Sequence, residues 1–431
     1  MTPLVGMGII PTTLIGMTSS LSSPRRLAAL GAVGLLMAAC SSDSDSGASG
    51  SSASSADTSP AASATELDAP QPRIALTYDG GVLVLDGTTL EVVGDSEMDG
   101  FLRVNPAGDG RHVMVTTEEG FQVLDAGVWT DGGTSYAADP ELTDRVFEAE
   151  EAGHVVVHGD RTVLFADGTG DITSYATDDL LDAEGLPETR TWESEEAHHG
   201  VAIELEDGTL LSTLGTEDER TGVRVLDASG EEVARNEECP GVHGEGTVAG
   251  EVAVFGCEDG VLVYDGEFTK LTAPDAYGRT GNVFTTESSP VALGDYNSDP
   301  DAEGYVLSAV TLVDTAADRL QVVPLPEGVQ YTFRDLARGP QDEAVLLGTD
   351  GNLHLLDEQT GAVLASYPVV APWEGPEEWQ DAHPALKVHD GIAYVTEPAA
   401  NAVHAVDLAT GAVLATGELD VTPNEIAVVT G

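Results

Sequence analysis

From about Glu66 to the end of the chain, apolar residues come in short runs of Val, Leu and Ala. Asp-Gly, Asp-Gly-Gly and Gly-Glu pairs break them every few positions. No stretch sustains the spacing of an amphipathic helix. Short runs bounded by turn formers predict β-strands.

The runs also repeat. Ile392 to Val395, Ala402 to Asp407 and Ala412 to Thr416 make one unit. Ala344 to Gly348, Leu353 to Asp357 and Ala362 to Tyr367 make another. His112 to Thr116 with Phe121 to Asp125, Thr209 to Thr213 with Val223 to Asp227, and Val252 to Gly256 with Val261 to Asp265 are further copies. His154 to Phe165 and Gly304 to Val323 are longer, looser ones. Each unit reads as an inner strand, a Val/Ala/Leu strand, a third strand ending in a hydrophobic residue and Asp, and a fourth after a Gly turn.

Arg73 to Thr77 reads as a second strand with no inner strand ahead of it. Asn424 to Val429, at the far end, supplies the missing one. Closing a ring this way removes an exposed sheet edge. The prediction is an all-β chain whose residues 66–431 form a single β-propeller. Eight units of about 45 residues are counted, or seven if one loose copy is miscounted. A β-sandwich array is the alternative, but it gives no reason for the split first unit.

The start of the chain differs. Arg25 and Arg26 precede an apolar run from Leu27 to Ala39, and Cys40 follows. This is the order of a secretory signal peptide, predicted over residues 1–40. Met37 to Cys40 resembles a bacterial lipobox, with Cys40 as the acylated residue. The paired arginines also fit a twin-arginine export signal, though an ordinary positive start is favoured. Residues 41–65 are mostly Ser, Ala, Asp and Gly, too polar to fold, and read as a disordered tether. Together these features place the protein outside the cell membrane, held to its outer face by lipid alone.

Charge sharpens the picture. The whole chain carries a formal charge of −58; residues before Cys40 remove two arginines and no carboxylate, leaving −60. Such a surface repels phosphate backbones and argues against nucleic acid as a partner. It attracts cations. Two lysines occur, Lys270 and Lys387. With Cys40 acylated, Cys239 and Cys257 remain, and a pair in an exported protein is expected to bridge. A metal-binding pair is the weaker reading.

Propeller topology suggests where chemistry can gather. The starts of all inner strands share one face, and His198, His199, His243 and His383 fall at such starts. Neutral imidazoles from separate rigid elements suit zinc or copper. Glu245 or Asp335 can complete the shell or orient a ring nitrogen. The bland alternative is that each is a hydrogen-bonded structural residue, and spacing alone leaves both open. His112, His154 and His158 read as second-strand residues, His354 and His404 as third-strand residues, and His389 precedes a turn; these six are expected to be structural. The acidic stretch Asp295 to Asp301 suggests a calcium loop only weakly. No nucleophile elbow, His-Glu-x-x-His pair or phosphate loop is present, and no catalytic residue is assigned.

The runs Arg73 to Asp86, Asn105 to His112, His198 to Ala202, Cys239 to Glu245, Val254 to Val261 and Pro423 to Ala427 resemble the AztD-type zinc metallochaperones. These are exported propellers associated with zinc-specific ABC importers, and the resemblance spans nearly all of residues 72–431. It implies a non-enzymatic protein that holds zinc outside the membrane and delivers it to the importer's solute-binding protein. It also implies His198, His199, His243 and His383 as ligand candidates and a Cys239–Cys257 bridge. Only one of the adjacent His198 and His199 is expected to ligate, because neighbours on a strand face opposite sides. The family carries histidines in a loop where Asp131 to Tyr136 has none, which puts a second metal site there in doubt. A monomer is expected. The rival classes are a metal-free interaction propeller binding protein or polymer partners, and a propeller enzyme. A sugar-lactone hydrolase or a quinone-dependent dehydrogenase would be examples.

Overall fold

The computed structural model describes residues 64–431, apart from 183, 184 and 303. The signal segment, the Cys40 lipidation site and residues 41–63 of the tether lie outside the described residues. No helix among the described residues is long and apolar enough to cross a membrane.

The fold is a β-propeller. Among the described residues, eight sheets of the propeller kind succeed one another, each built on four strands. We number them 1 to 8 along the chain. Their inner strands are Ile426–Val429, Arg103–Pro106, Ala152–His158, Ala202–Glu204, His243–Val248, Val283–Phe284, Leu336–Arg338 and Leu386–His389. Sheet 1 is closed by strands from opposite ends of the ring's sequence, with Arg73 opposite Val429 and Leu76 opposite Ile426 in antiparallel register.

Burial explains the sequence pattern. The two middle strands of a sheet are covered by neighbouring sheets on both faces, so they read as continuous apolar runs. Arg73–Tyr78 and Gly81–Asp86 are buried along five of six positions each. The outer strand Val92–Glu97 keeps one face in water and is half polar. Sheets 1 and 2 share a core in which Ala75, Val84 and Ala427 meet Val104, Val113 and Val115. Sheets 4 and 5 share another, joining Ile203 and Val223 to Phe255 and Cys257. Each such Val, Ile or Phe side chain contributes roughly 1.5–3 kcal/mol on burial.

The recurring Asp at the end of third strands has a local cause. Asp86 Oδ1 accepts from the backbone N–H groups of Thr88 and Thr89, both at 2.9 Å. Asp357 does the same for Gln359 and Thr360, and Asp227 for Ser229 and Glu231. The carboxylate satisfies turn donors that no strand can reach.

Two features depart from the sequence reading. First, Ala152–His158, read as a second strand, is the inner strand of sheet 3. Its Val155-Val156-Val157 run looks like a doubly buried middle strand, and that similarity hid its place. Second, Thr65–Leu67 pairs with Thr134–Ala137, which pairs with Val128–Asp131, making a small satellite sheet outside the ring. The histidine-free loop sits at the tip of that hairpin. It separates the third strand of sheet 2 from its outer strand Glu141–Glu148. That interruption is why the boundary into sheet 3 is obscure in the sequence.

Candidate metal centre

Sheets 3, 4 and 5 are neighbours, and each sends one histidine to the same point. His154 comes from the inner strand of sheet 3, His199 from the segment entering sheet 4, and His243 from the first residue of the inner strand of sheet 5. Their ring centroids form a near-equilateral triangle, 5.0, 5.1 and 5.0 Å on a side. One ligand atom from each lies within 4.8 Å of the others. His199 Nε2 stands 3.0 Å from His243 Nε2 and 3.4 Å from His154 Nε2.

The strands are locally shaped to do this. Sheet 3 has a register irregularity between Ala152 and Val155, and sheet 5 one between His243 and Glu245. Bulges of this kind re-aim side chains. Gly244, within the second, has φ 69°, and a Cβ there would meet Gly281 O at 2.6 Å. Only glycine allows that approach, which lets His243 Nδ1 donate to Gly281 O at 2.5 Å. Four residues upstream, Cys239 is bridged to Cys257, and both are fully buried. The bridge ties the approach to His243 onto the end of the next strand.

Outer partners set the tautomers. His199 Nδ1 lies 2.5 Å from Asp167 Oδ2, and Gly153 is what admits that carboxylate: a Cβ there would sit 2.2 Å from Asp167 Oδ1. A carbonyl and a carboxylate only accept, so both Nδ1 atoms donate. In the neutral rings, both Nε2 atoms then carry lone pairs. Two lone pairs facing each other at 3.0 Å repel unless a proton or a cation lies between them. Nδ1 donation to a carboxylate or a carbonyl is also the support that metal-bound imidazoles commonly have. Burial, with the neighbouring His154 and His199 adding to it, holds the His243 imidazole well below its ordinary pKa, so it favours the neutral, ligating form.

The trio lines a cavity of about 570 Å³ shared with Glu245, Arg220 and Arg279. Glu245 Oε1 is 3.8 Å from His154 Nδ1. Three imidazoles leave a fourth tetrahedral position for water, Glu245 or an incoming ligand.

The other candidates lie elsewhere. His198 is buried; its Nδ1 donates to Glu196 O and its Nε2 meets Thr213 Oγ1, both at 2.9 Å. Its ring packs edge-on against Phe165. His383 donates Nδ1 to Asp381 O at 2.7 Å and packs near Phe333. It belongs to sheet 8, across the ring from sheet 4. Equivalent positions in a ring share a face, but an imidazole reaches only its neighbours. Asp335 is buried and accepts from Thr332 N and Oγ1 rather than facing the trio. Asp295 is likewise buried, accepting from Gly281 and Asn282. Four histidines read as structural are engaged by side-chain partners. His112 meets Asp109 and Arg145, and His158 meets Glu251 and Thr247. His354 meets Ser366 and Asp350, and His404 meets Thr416 and Glu397. His154 is the exception the sequence reading missed. Its signal was available: Ala152-Gly153-His154 follows a turn, as an inner strand does.

No protein-family model matches this chain. Over 224 residues it is 26% identical to a curated protein of Citrobacter koseri, in a stretch covering 49% of this chain and 50% of that one. That relative is the zinc chaperone AztD. The chain thus matches about half the length of AztD in sequence. In structure the likeness is wider. Apo AztD from Citrobacter koseri aligns with a TM-score of 0.72 at 20% identity, over 84% of this chain and 99% of AztD. A second AztD crystal structure aligns with a TM-score of 0.71, also at 20% identity and with the same coverage. At that identity the structural likeness is one of fold. The resemblance to AztD read from the sequence motifs is matched by these relatives.

Proposed function

We propose that this chain is a non-enzymatic zinc carrier working outside the cytoplasmic membrane, with His154, His199 and His243 as its ligands. The observation that carries this is the convergence of three Nε2 atoms from adjacent sheets, two of them with Nδ1 committed to outer acceptors. The likeness to AztD supports zinc as the cargo.

The carrier works by exchange. Rigid strands hold three neutral imidazoles, which bind zinc when their protons are off and release it as they protonate. The fourth position opens to the cavity, so a receiving protein can offer its own ligand before the histidines let go. The receiver we propose is the solute-binding protein of a zinc ABC importer. Export and lipid anchoring through Cys40, a monomeric state and the single-propeller extent of residues 66–431 belong to the same reading.

The test is zinc titration against a competing chromophoric chelator. Alanine at His154, His199 or His243 should weaken binding by more than about 100-fold, the upper range for loss of an outer partner. Alanine at His198 or His383 should leave it near the parent value. Three trio variants that bind like the parent would refute the assignment.

A further inference from the structure

The channel of this very acidic protein has a cationic stretch. Arg103 on the inner strand of sheet 2, Arg334 at the entry to sheet 7 and Lys387 on the inner strand of sheet 8 line a second cavity of about 140 Å³. Lys387 is one of two lysines in the chain, so its place on an inner strand is not a matter of abundance. The cavity shares Arg103, Asn105, Asn282, Phe284 and Phe333 with the cavity of the histidine trio, so the two adjoin.

The charges there do not cancel. Glu425 is the carboxylate partner, held by Arg103 Nε at 3.0 and 3.2 Å and by Arg334 Nη2 at 3.2 Å. That is one carboxylate for three cations. Asp335, beside Arg334, is fully buried and pushed up to about 8 by burial, so it adds little negative charge at neutral pH. Among the described residues, the terminal nitrogens of Arg103 and the Nζ of Lys387 have no hydrogen-bond or ion-pair partner. Arg334, with a side chain 5% exposed, leaves its Nε without a partner as well. A buried donor is expensive to leave unmet, and Arg334 Nε is one, while the partly exposed Arg103 fork and the exposed Lys387 ammonium add positive charge beside it that no carboxylate compensates.

We infer that the channel between Arg103, Arg334 and Lys387 binds a small oxyanion, of the size and charge of inorganic phosphate or sulfate. Glu425 fixes the two guanidiniums, leaving the Arg103 fork and the Lys387 ammonium to meet oxygen atoms. The volume suits such an ion and is well below the roughly 300 Å³ at which drug-sized ligand pockets begin. The acidic exterior repels anions at long range, but within the channel the local cations decide, because salt screens distant charge beyond about 8 Å.

Titrating the zinc-free full chain with inorganic phosphate at constant ionic strength tests this, read by calorimetry and by the shift of the thermal midpoint. Saturable binding is expected. Lys387→Ala and Arg103→Gln should each weaken it about tenfold or more, the scale of a lost charge-assisted contact. Lys387→Arg, which keeps the charge, and Lys270→Ala, outside the channel, should bind like the parent. His243→Ala should also retain phosphate, which separates this site from the zinc reading. Absence of saturable binding to the parent, or undiminished binding by the Lys387→Ala and Arg103→Gln variants, overturns the inference.

Discussion

His199 and His243 face each other through Nε2 atoms 3.0 Å apart, while the Nδ1 atom of each is committed on the far side, to Asp167 and to Gly281. The outer bonds therefore decide what the inner atoms can do. Removing the Asp167 carboxylate frees His199 to change tautomer or rotate. Asp167→Ala should weaken zinc binding by about 10–100-fold with the fold intact. Chelator competition measures the first and circular dichroism the second.

The bulge at Gly244 makes a sharper prediction. Its φ of 69° is left-handed, and a methyl group would collide with the Gly281 carbonyl that holds His243. Gly244→Ala should cost about 1–3 kcal/mol of stability and weaken zinc binding together. Gly250 has φ 82° with nothing within 4 Å, so Gly250→Ala should cost stability alone. Paired denaturation and zinc titrations of the two variants distinguish strain from positioning.

The Cys239–Cys257 bridge spans 18 residues of sequence. Closing a loop of that size stabilises by about 3 kcal/mol in the chain-entropy account. Replacing both cysteines by alanine should lower stability by that order. It should also loosen the approach to His243 and so reduce zinc affinity, while leaving phosphate binding in the channel unchanged. Denaturant melts and the two titrations report all three.

His383 supplies a pH dependence separate from metal. Burial, with Arg334 nearby, lowers its pKa from 6.5 to about 4. The unfolded chain thus takes up a proton between those values that the folded one refuses. Its neutral form is fully favourable above pH 6.5; stability then falls as pH drops toward 4, by on the order of 3 kcal/mol. His383→Asn should flatten this part of the stability profile in melts from pH 7 to 4, relative to the parent.

The propeller was readable because its strands obey local rules. Asp86, Asp227 and Asp357 mark strand ends through turn hydrogen bonds made within four residues. The doubly buried runs around Ile74 and Val84 need no knowledge of the ring. His243 was readable for a similar reason, since it opens a strand just after a buried Cys239. His154 was not, because a bulge and an inserted hairpin disguise the strand that carries it. His383 and His199 look alike in sequence; what separates them is which sheets are neighbours in space. Orientation within the His198-His199 pair likewise depends on Thr213 and Asp167, which belong to other strands.

The pairing of Arg73–Tyr78 with Ile426–Val429 also imposes an order on biogenesis. The sheet that begins first along the ring is completed last, by the strand Ile426–Val429. Until those residues emerge, the nascent ring has an open seam and a bare strand edge. Loss of Ile426–Val429 would therefore be felt at Arg73–Tyr78, about 350 positions earlier in the sequence.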